Sequence, residues 1–168
     1  MQKITPFLWF DNNAEDAVNF YISIFKNSKM GTVSRYSEEA AKASGRPKGS
    51  LMTASFQLNG QEFIALNGGP VFKFTEAISF VITCENQEEV DYYWEKLSAV
   101  PQSEQCGWCK DQYGLSWQIS PTIMGSMMGN GSQEQLDRLT QTFLKMKKID
   151  IKKLTRAFEG EPATANNE

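Results

Sequence analysis

Three groups of residues in this chain have types and spacings that could do chemistry. The first is Cys106-Gly107-Trp108-Cys109, which fits the C-x-x-C template of a thiol redox site or half of a zinc knuckle. A redox pair needs its first thiol at a helix N-terminus, where the dipole favours thiolate. Here the motif runs straight into an aromatic hairpin, so its thiols fall on a strand and on opposite faces. A zinc site needs four nitrogen or sulfur ligands. The chain has no histidine and only Cys84 besides these two, which leaves the set one short, and ordinary reduced cysteines are the expectation.

The second group is the glycine clusters, Asn67-Gly68-Gly69-Pro70 and the stretch from Gly125 to Gly131. Neither lies between an apolar strand and a helix with dinucleotide-binding spacing, so they read as a turn and a hinge. The third is Lys145, Lys147, Lys148, Lys152 and Lys153, a basic run of the kind that coats a solvated helix face. The absence of histidine removes the usual general base, the Ser-His and Cys-His nucleophile pairs and the commonest metal ligand. Any mechanism must therefore run on carboxylates, amides, hydroxyls, lysines or thiols.

One amide stands out. In Leu115-Ser116-Trp117-Gln118-Ile119, strand alternation puts Leu115, Trp117 and Ile119 on one face and turns Gln118 the other way, toward solvent or a cavity. Phe7, Trp9, Phe10, Phe56, Phe63, Phe80, Trp108 and Trp117 all fall in predicted strands. Most of these rings are core, and a subset could wall a pocket for an apolar or planar ligand.

The elements that must position these residues follow from the pattern. Lys3 to Phe10 is an apolar run of strand length stopped by Asp11. Asn12 or Asn13 caps a helix whose buried stripe is Ala14, Ala17, Val18, Tyr21 and Phe25. Gly31 to Tyr36 reads as a strand, and Ser37 to Gly49 as a mobile connection with at most a helical turn. Leu51–Leu58 and Glu62–Leu66 form a hairpin around Asn59-Gly60. The pattern then repeats: a strand at Ile78–Thr83, a cap at Asn86 and a stripe of Val90, Tyr93, Trp94 and Leu97. An offset of 72 positions lays Leu8–Phe10 on Phe80–Ile82 and Val18–Tyr21 on Val90–Tyr93. Lys110 to Gly114 supplies the loop of the last hairpin. Beyond Thr122 come a short Met-rich joint (123–131), a helix capped by Ser132, a last helix capped by Asp150 and stopped by Gly160, and a disordered tail at 161–168.

With 168 residues, 40% hydrophobic, 12% aromatic and 22% charged, the chain is of ordinary globular composition. Its net charge of -3 argues against nucleic acid or anionic membrane as the main partner, since both call for a basic face. No apolar run approaches the length of a membrane span and no signal-peptide pattern opens the chain. A cytoplasmic location is the expectation.

The duplicated unit, the run Asn12–Tyr21 after the first strand, the run Gly107–Ile119 near the last, and the terminal Lys145–Ile151 and Phe158-Glu159-Gly160 resemble the vicinal oxygen chelate superfamily. Within it they are similar to the PhnB-like branch, which also carries a 3-demethylubiquinone 3-methyltransferase label. The resemblance implies an α+β fold of duplicated βαβββ modules forming a curved mixed sheet around a cleft, followed by C-terminal helices. The expected layout is a PhnB-like domain at 1–121, with modules at about 1–69 and 76–121, and a helical extension at 122–160. It also implies homodimerisation. Metal-dependent members hold an ion at four positions that fall here on Pro6, Ala65, Ser79 and Gln118. Of these only Gln118 is a plausible ligand and Pro6 and Ala65 have no side-chain donor, so no metal and no cofactor are expected.

The reading is a homodimer that binds a small apolar or aromatic molecule in a metal-free cleft. Gln118 and Ser79 are its polar anchors, and Leu8, Phe10, Phe56, Asn67 and Trp108 its walls. The alternatives are an enzyme, either of glyoxalase or dioxygenase type with atypical metal ligands or a methyltransferase, and a scaffold whose cleft is filled by side chains.

Overall fold

The computed structural model describes residues 4–161 of the chain, which divides into two compact units, Met1–Phe74 and Thr75–Glu168. The tail expected to be disordered lies, from residue 162 on, outside the described residues.

The first unit runs β1 (Phe7–Phe10), α1 (Ala14–Ile24), β2 (Lys29–Arg35), α2 (Glu38–Ser44), β3 (Leu51–Leu58) and β4 (Gln61–Asn67). Its four strands lie in the order β1-β4-β3-β2, with β1 parallel to β4 and the other pairs antiparallel. Asn59 and Gly60 both take positive φ (48° and 81°), the conformation of a two-residue hairpin whose twist matches that of its strands. Leu8, Phe10, Ala54, Phe56, Phe63 and Ala65 are buried, as are Ala14, Ala17, Val18 and Tyr21 of α1. Tyr21 stacks on Phe56 at 6.4 Å and Phe56 on Phe63 at 5.3 Å, which marks the helix-covered face of the sheet. Alternation leaves Phe7, Trp9, Thr53, Ser55, Ile64 and Leu66 on the other face, where Phe7 is 55% exposed.

Two local expectations change. The N-terminus of α1 is not capped by its own asparagines: Asn13 makes no side-chain cap bond, and Asn67 Oδ1 accepts the Ala14 N–H at 2.8 Å instead. The segment from Ser37 to Gly49, expected to be mobile, is a capped helix with an ordered return. Ser37 Oγ accepts from the Ala40 N–H, Gly45 closes the helix at φ 71°, and Arg46 donates to the Asp11 carbonyl and carboxylate at 2.6 and 2.8 Å. Ser37-Glu38-Glu39-Ala40-Ala41-Lys42 is a start signal followed by good helix formers, and the later Gly and Pro only end it. The cluster Asn67-Gly68-Gly69 is a turn, as expected. A Cβ at Gly68 would come within 2.3 Å of the Trp9 ring, and Trp9 Nε1 donates to the Gly69 carbonyl at 2.8 Å.

The second unit begins β5 (Ser79–Cys84), α3 (Gln87–Leu97), a 3₁₀ turn at Pro101–Ser103, β6 (Trp108–Lys110) and β7 (Ser116–Pro121). The sheet order is β5-β7-β6, with β5 parallel to β7 and β6 antiparallel to it. The duplication is thus real in topology: β5, α3, β6 and β7 repeat β1, α1, β3 and β4. The counterpart of β2 is missing among the described residues. Asn86 caps α3 by accepting from the Glu89 N–H at 3.0 Å, as its sequence predicts.

Three helices follow, α4 (Thr122–Asn130), α5 (Gln133–Phe143) and α6 (Ile151–Glu159). The Met-rich stretch read as a joint is α4, because methionine is a good helix former and Pro121, at φ -74°, leads into the helix. Ser132 and Gln135 form a reciprocal capping box on α5, Asp150 caps α6, and Gly160 stops it at φ 80°. The segment between α5 and α6 is fastened to the rest of the unit. Cys106 N–H and Gly107 N–H donate to the Met146 and Lys147 carbonyls at 2.8 Å each. The Gln87 amide bonds both the Ile149 carbonyl (3.0 Å) and the Ile151 N–H (2.9 Å), while Lys147 pairs with Glu104 and Lys148 with Asp91. Among the described residues no helix is long and apolar enough to cross a membrane.

Candidate functional site

The β6–β7 hairpin is organised by a buried carboxylate. Asp111, 1% exposed, accepts the Tyr113 and Leu115 N–H groups through Oδ1 (2.8 and 3.1 Å) and the Trp117 indole N–H through Oδ2 (2.8 Å). Gly114, at φ 86°, closes the loop. These bonds help hold Trp117 beside Phe80, ring centroids 5.7 Å apart, on the face that also buries Leu115 and Ile119. By alternation Ser116, Gln118 and Ser120 point to the face turned away from α3.

Register sets their neighbours. Ser79 and Lys110 flank Ser116 on β5 and β6, while Val81 and Trp108 flank Gln118. Gln118 Nε2 donates to Ser79 Oγ at 2.9 Å, and its carbonyl oxygen has no hydrogen-bond partner among the described residues. Ser116 is 1% exposed and its hydroxyl also lacks a partner among the described residues. A buried hydroxyl without a partner costs about 1–3 kcal/mol. Lys110 pairs with Glu76 and holds that carboxyl below its usual range, chiefly through the hydrogen bond between them.

Next to this row is a cavity of about 130 Å³. Trp108, Gln118 and Ser120 line it from the sheet, and Met124, Met128 and Phe143 from α4 and α5. Cys106 opens on it too, held at φ 53°. All three cysteines are free. Burial, reinforced by Glu89 and Glu85, pushes the Cys84 thiol up to about 12. Burial, reinforced by Asp111 and Glu104, does the same at Cys109. Neither is a nucleophile near neutral pH.

Of the residues singled out by sequence, the structure brings Gln118, Ser79 and Trp108 together. Leu8, Phe10 and Phe56 lie buried on the helix-covered face of the first unit with Tyr21, and Phe56 also lines a cavity of about 170 Å³ in that unit with Gly31, Ser55 and Phe63. The opposite face of their sheet carries Phe7, Trp9, Ile64 and Leu66. Asn67 is also structural. Beyond its bond to Ala14, its Nδ2 donates to the Leu51 carbonyl (3.2 Å) and its own carbonyl accepts the Tyr36 hydroxyl (2.6 Å). Sequence reading missed Ser116, although its spacing of two from Gln118 on the same strand was the available signal.

The metal-ligand positions implied by the resemblance shift by one residue in the first unit. Leu8 pairs with Ala65 as Phe80 pairs with Trp117, so the counterparts of Ser79 and Gln118 are Phe7 and Leu66, in place of Pro6 and Ala65. Phe7 and Leu66 carry no donor atom, and a hydroxyl and an amide bonded to each other are weak ligands for a divalent ion. Among the described residues no three His, Cys, Asp or Glu side chains cluster as a metal site. The donor set does not fit a metal.

A larger cavity, about 600 Å³, runs along α5 and α6. Its charged groups are largely committed within the extension: Arg138 to Glu134 and the Ala157 and Phe158 carbonyls, Lys153 to Asp150, and Arg156 to Glu161. Of the basic run, Lys153 pairs with Asp150 nearby, and Lys147 and Lys148 reach Glu104 and Asp91.

The profile of the family described as 3-demethylubiquinone-9 3-methyltransferase matches residues 2–120. Among solved structures, the chain is similar to a Bacillus cereus PhnB protein that carries the same description. The two are 39% identical over 72% of this chain and 100% of that one, with a TM-score of 0.60. A Pseudomonas aeruginosa protein is 17% identical over 72% of this chain and 98% of its own, at a TM-score of 0.53. A glyoxylase/bleomycin resistance protein/dioxygenase domain from Frankia sp. EAN1pec is 12% identical over 72% and 92%, at 0.43. No protein of curated function matches. The family match stops at β7, so α4 to α6 lie beyond it.

Proposed function

The chain belongs to the family described as 3-demethylubiquinone-9 3-methyltransferase, which it shares with a PhnB protein, and from that premise we propose that it binds a small apolar or aromatic molecule on the face of the β5-β7-β6 sheet turned away from α3. Gln118, braced by Ser79, is the polar anchor, Ser116 a second hydrogen-bonding group, and Trp108 the aromatic wall. The observation that carries the reading is the Ser116 hydroxyl, buried without a partner two residues along β7 from an amide with a spare acceptor. A ligand bearing a hydrogen-bond donor would take up the spare Gln118 acceptor.

The methyltransferase description is the name of the family. The chain has no strand, glycine-rich turn and helix with the spacing of a nucleotide-binding fingerprint, and the family's metal positions lack donors. The reading includes a cytoplasmic homodimer, supported by the family's habit and by a composition with neither a basic face nor a long apolar run.

A thermal-shift panel of single- and double-ring compounds tests it. A binder held at 100-fold over its Kd should add about 2.7 kcal/mol and raise Tm, and Gln118→Ala should abolish the rise while the protein stays folded. A panel in which no compound moves Tm sinks the reading. Sedimentation equilibrium tests the dimer.

A further inference from the structure

We infer that α4 and α5 turn the sheet face beside Gln118 into a partly enclosed subsite for one uncharged six-membered ring carrying a single hydrogen-bonding group, a molecule of phenol type. The inference rests on the binding reading above, because Gln118 serves both.

Size comes first. The cavity measures about 130 Å³, and apolar protein cavities of about 150 Å³ stay dry and take up benzene. One ring fits this space and two fused rings do not. Chemistry comes second. No charged residue lines the cavity; its walls are the Trp108 and Phe143 rings, the Met124 and Met128 thioethers and aliphatic groups. Methionine sulfur against a ring edge and ring against ring are favourable contacts of about 0.5–1.5 kcal/mol each. An ionised ligand would have to leave water with no counter-charge to meet it. The polar groups at the wall are the Gln118 amide, whose carbonyl oxygen is unspent, and the Ser120 and Thr140 hydroxyls. They suit a single hydroxyl or amine on the ring.

Origin comes third. Met124, Met128, Leu139 and Phe143 belong to the extension, beyond residues 2–120 matched by the family. This half of the wall therefore lies outside the part of the chain that the family match covers. The bonds from Cys106, Gly107 and Gln87 to residues 146–151 fasten the chain between α5 and α6 to the unit. By contrast α4 has no side-chain cap, and a Cβ at Gly125 or Gly129 would meet nothing within 4 Å.

The test uses the full chain and two probes, phenol and 2-naphthol, read by calorimetric titration and by the rate at which iodoacetamide alkylates Cys106 at the cavity wall. Phenol should bind one to one and slow alkylation at least fivefold at saturation, while 2-naphthol should not bind. Met124→Trp, which fills the space, should weaken phenol at least tenfold. Met124→Leu should keep its affinity within about threefold. Phe143→Ala, which enlarges the cavity, should admit 2-naphthol. Phenol binding that responds to Gln118→Ala and not to Met124→Trp or Phe143→Ala overturns the partly enclosed subsite and leaves the sheet-face reading standing. If no ring compound binds at all, both fall.

Discussion

The two units are copies of one topology with their polarity reversed. At the offset that lays Leu8 on Phe80, the first unit has Phe7, Ile64 and Leu66 on the face away from its helix, and the second has Ser79, Ser116 and Gln118 at the same places. On the helix side the first unit carries Asn67 where the second carries Ile119. Each unit thus places one amide within the register of its parallel strand pair, Asn67 and Gln118. The Asn67 amide bonds the N-terminus of α1 and the Leu51 carbonyl, whereas the Gln118 amide makes one bond to Ser79 and keeps an acceptor in reserve. An amide bonded through both its oxygen and its nitrogen holds a fold. One with capacity left over, beside a buried hydroxyl in the same condition, is available to something else.

The sharpest way to break the comparison is at the hairpins. The first unit turns its β3–β4 hairpin on Asn59-Gly60, whose N–H groups donate to Ser28 Oγ (3.1 Å) and the Asn27 carbonyl (3.3 Å), while in the second Asp111 accepts from three donors. Asp111→Ala should cost about 3–5 kcal/mol in urea unfolding, because a charged acceptor is lost and the buried Trp117 indole is left unpaired. A loss under about 1 kcal/mol would show that the turn holds itself. Asn67→Ala comes next, at about 2–4 kcal/mol, since it strips the α1 N-terminus of its cap and leaves the Leu51 carbonyl without its amide donor. Wild-type stability there would make Asn67 a site residue after all.

How much of this was legible in the sequence depends on how far each signal reached along the chain. The Asn59-Gly60 hairpin, the caps at Asn86, Ser132 and Asp150, and the placement of Trp117 opposite Gln118 are local patterns. All were readable. The phase of β1 was not, because Phe7-Leu8-Trp9-Phe10 is apolar at every position and alternation has nothing to mark; only the structure shows that Leu8 and Phe10 face the helix. Asn67 caps a helix 53 residues away, a pairing no local rule reveals. The helices α2 and α4 were discounted on account of their glycines, although Ser37 and Pro121 are start signals. Ser116 looked like any strand serine until its burial without a partner was known.

Alkaline pH sharpens the contrast, since all three cysteines lie in the second unit. Cys84 and Cys109 have folded values of about 12, above the ordinary thiol value of 9.0. Their contribution is fully present below about 9 and is lost as pH rises toward 12, so stability should fall across that window. A Cys84→Ala, Cys109→Ala double variant should show a shallower fall. Native protein at pH 8 should yield one alkylated thiol, Cys106, and denatured protein three; rapid modification of Cys84 or Cys109 in the folded state would contradict their burial. The smallest effects fall on the site itself. Gln118→Ala should change stability by less than about 1 kcal/mol, and Ser116→Ala should be neutral or slightly stabilising, because it deletes a hydroxyl that has no bond to lose. A loss of 2 kcal/mol or more at either position would make it structural, like Asn67.

The most direct measurement is a crystal structure with the ring compound that raises Tm most. The account predicts density in the second unit with a ligand atom within hydrogen-bond distance of Gln118 Oε1 or Ser116 Oγ. The same compound seated on the first unit, with the Gln118 and Ser116 groups closed by protein side chains, would contradict it.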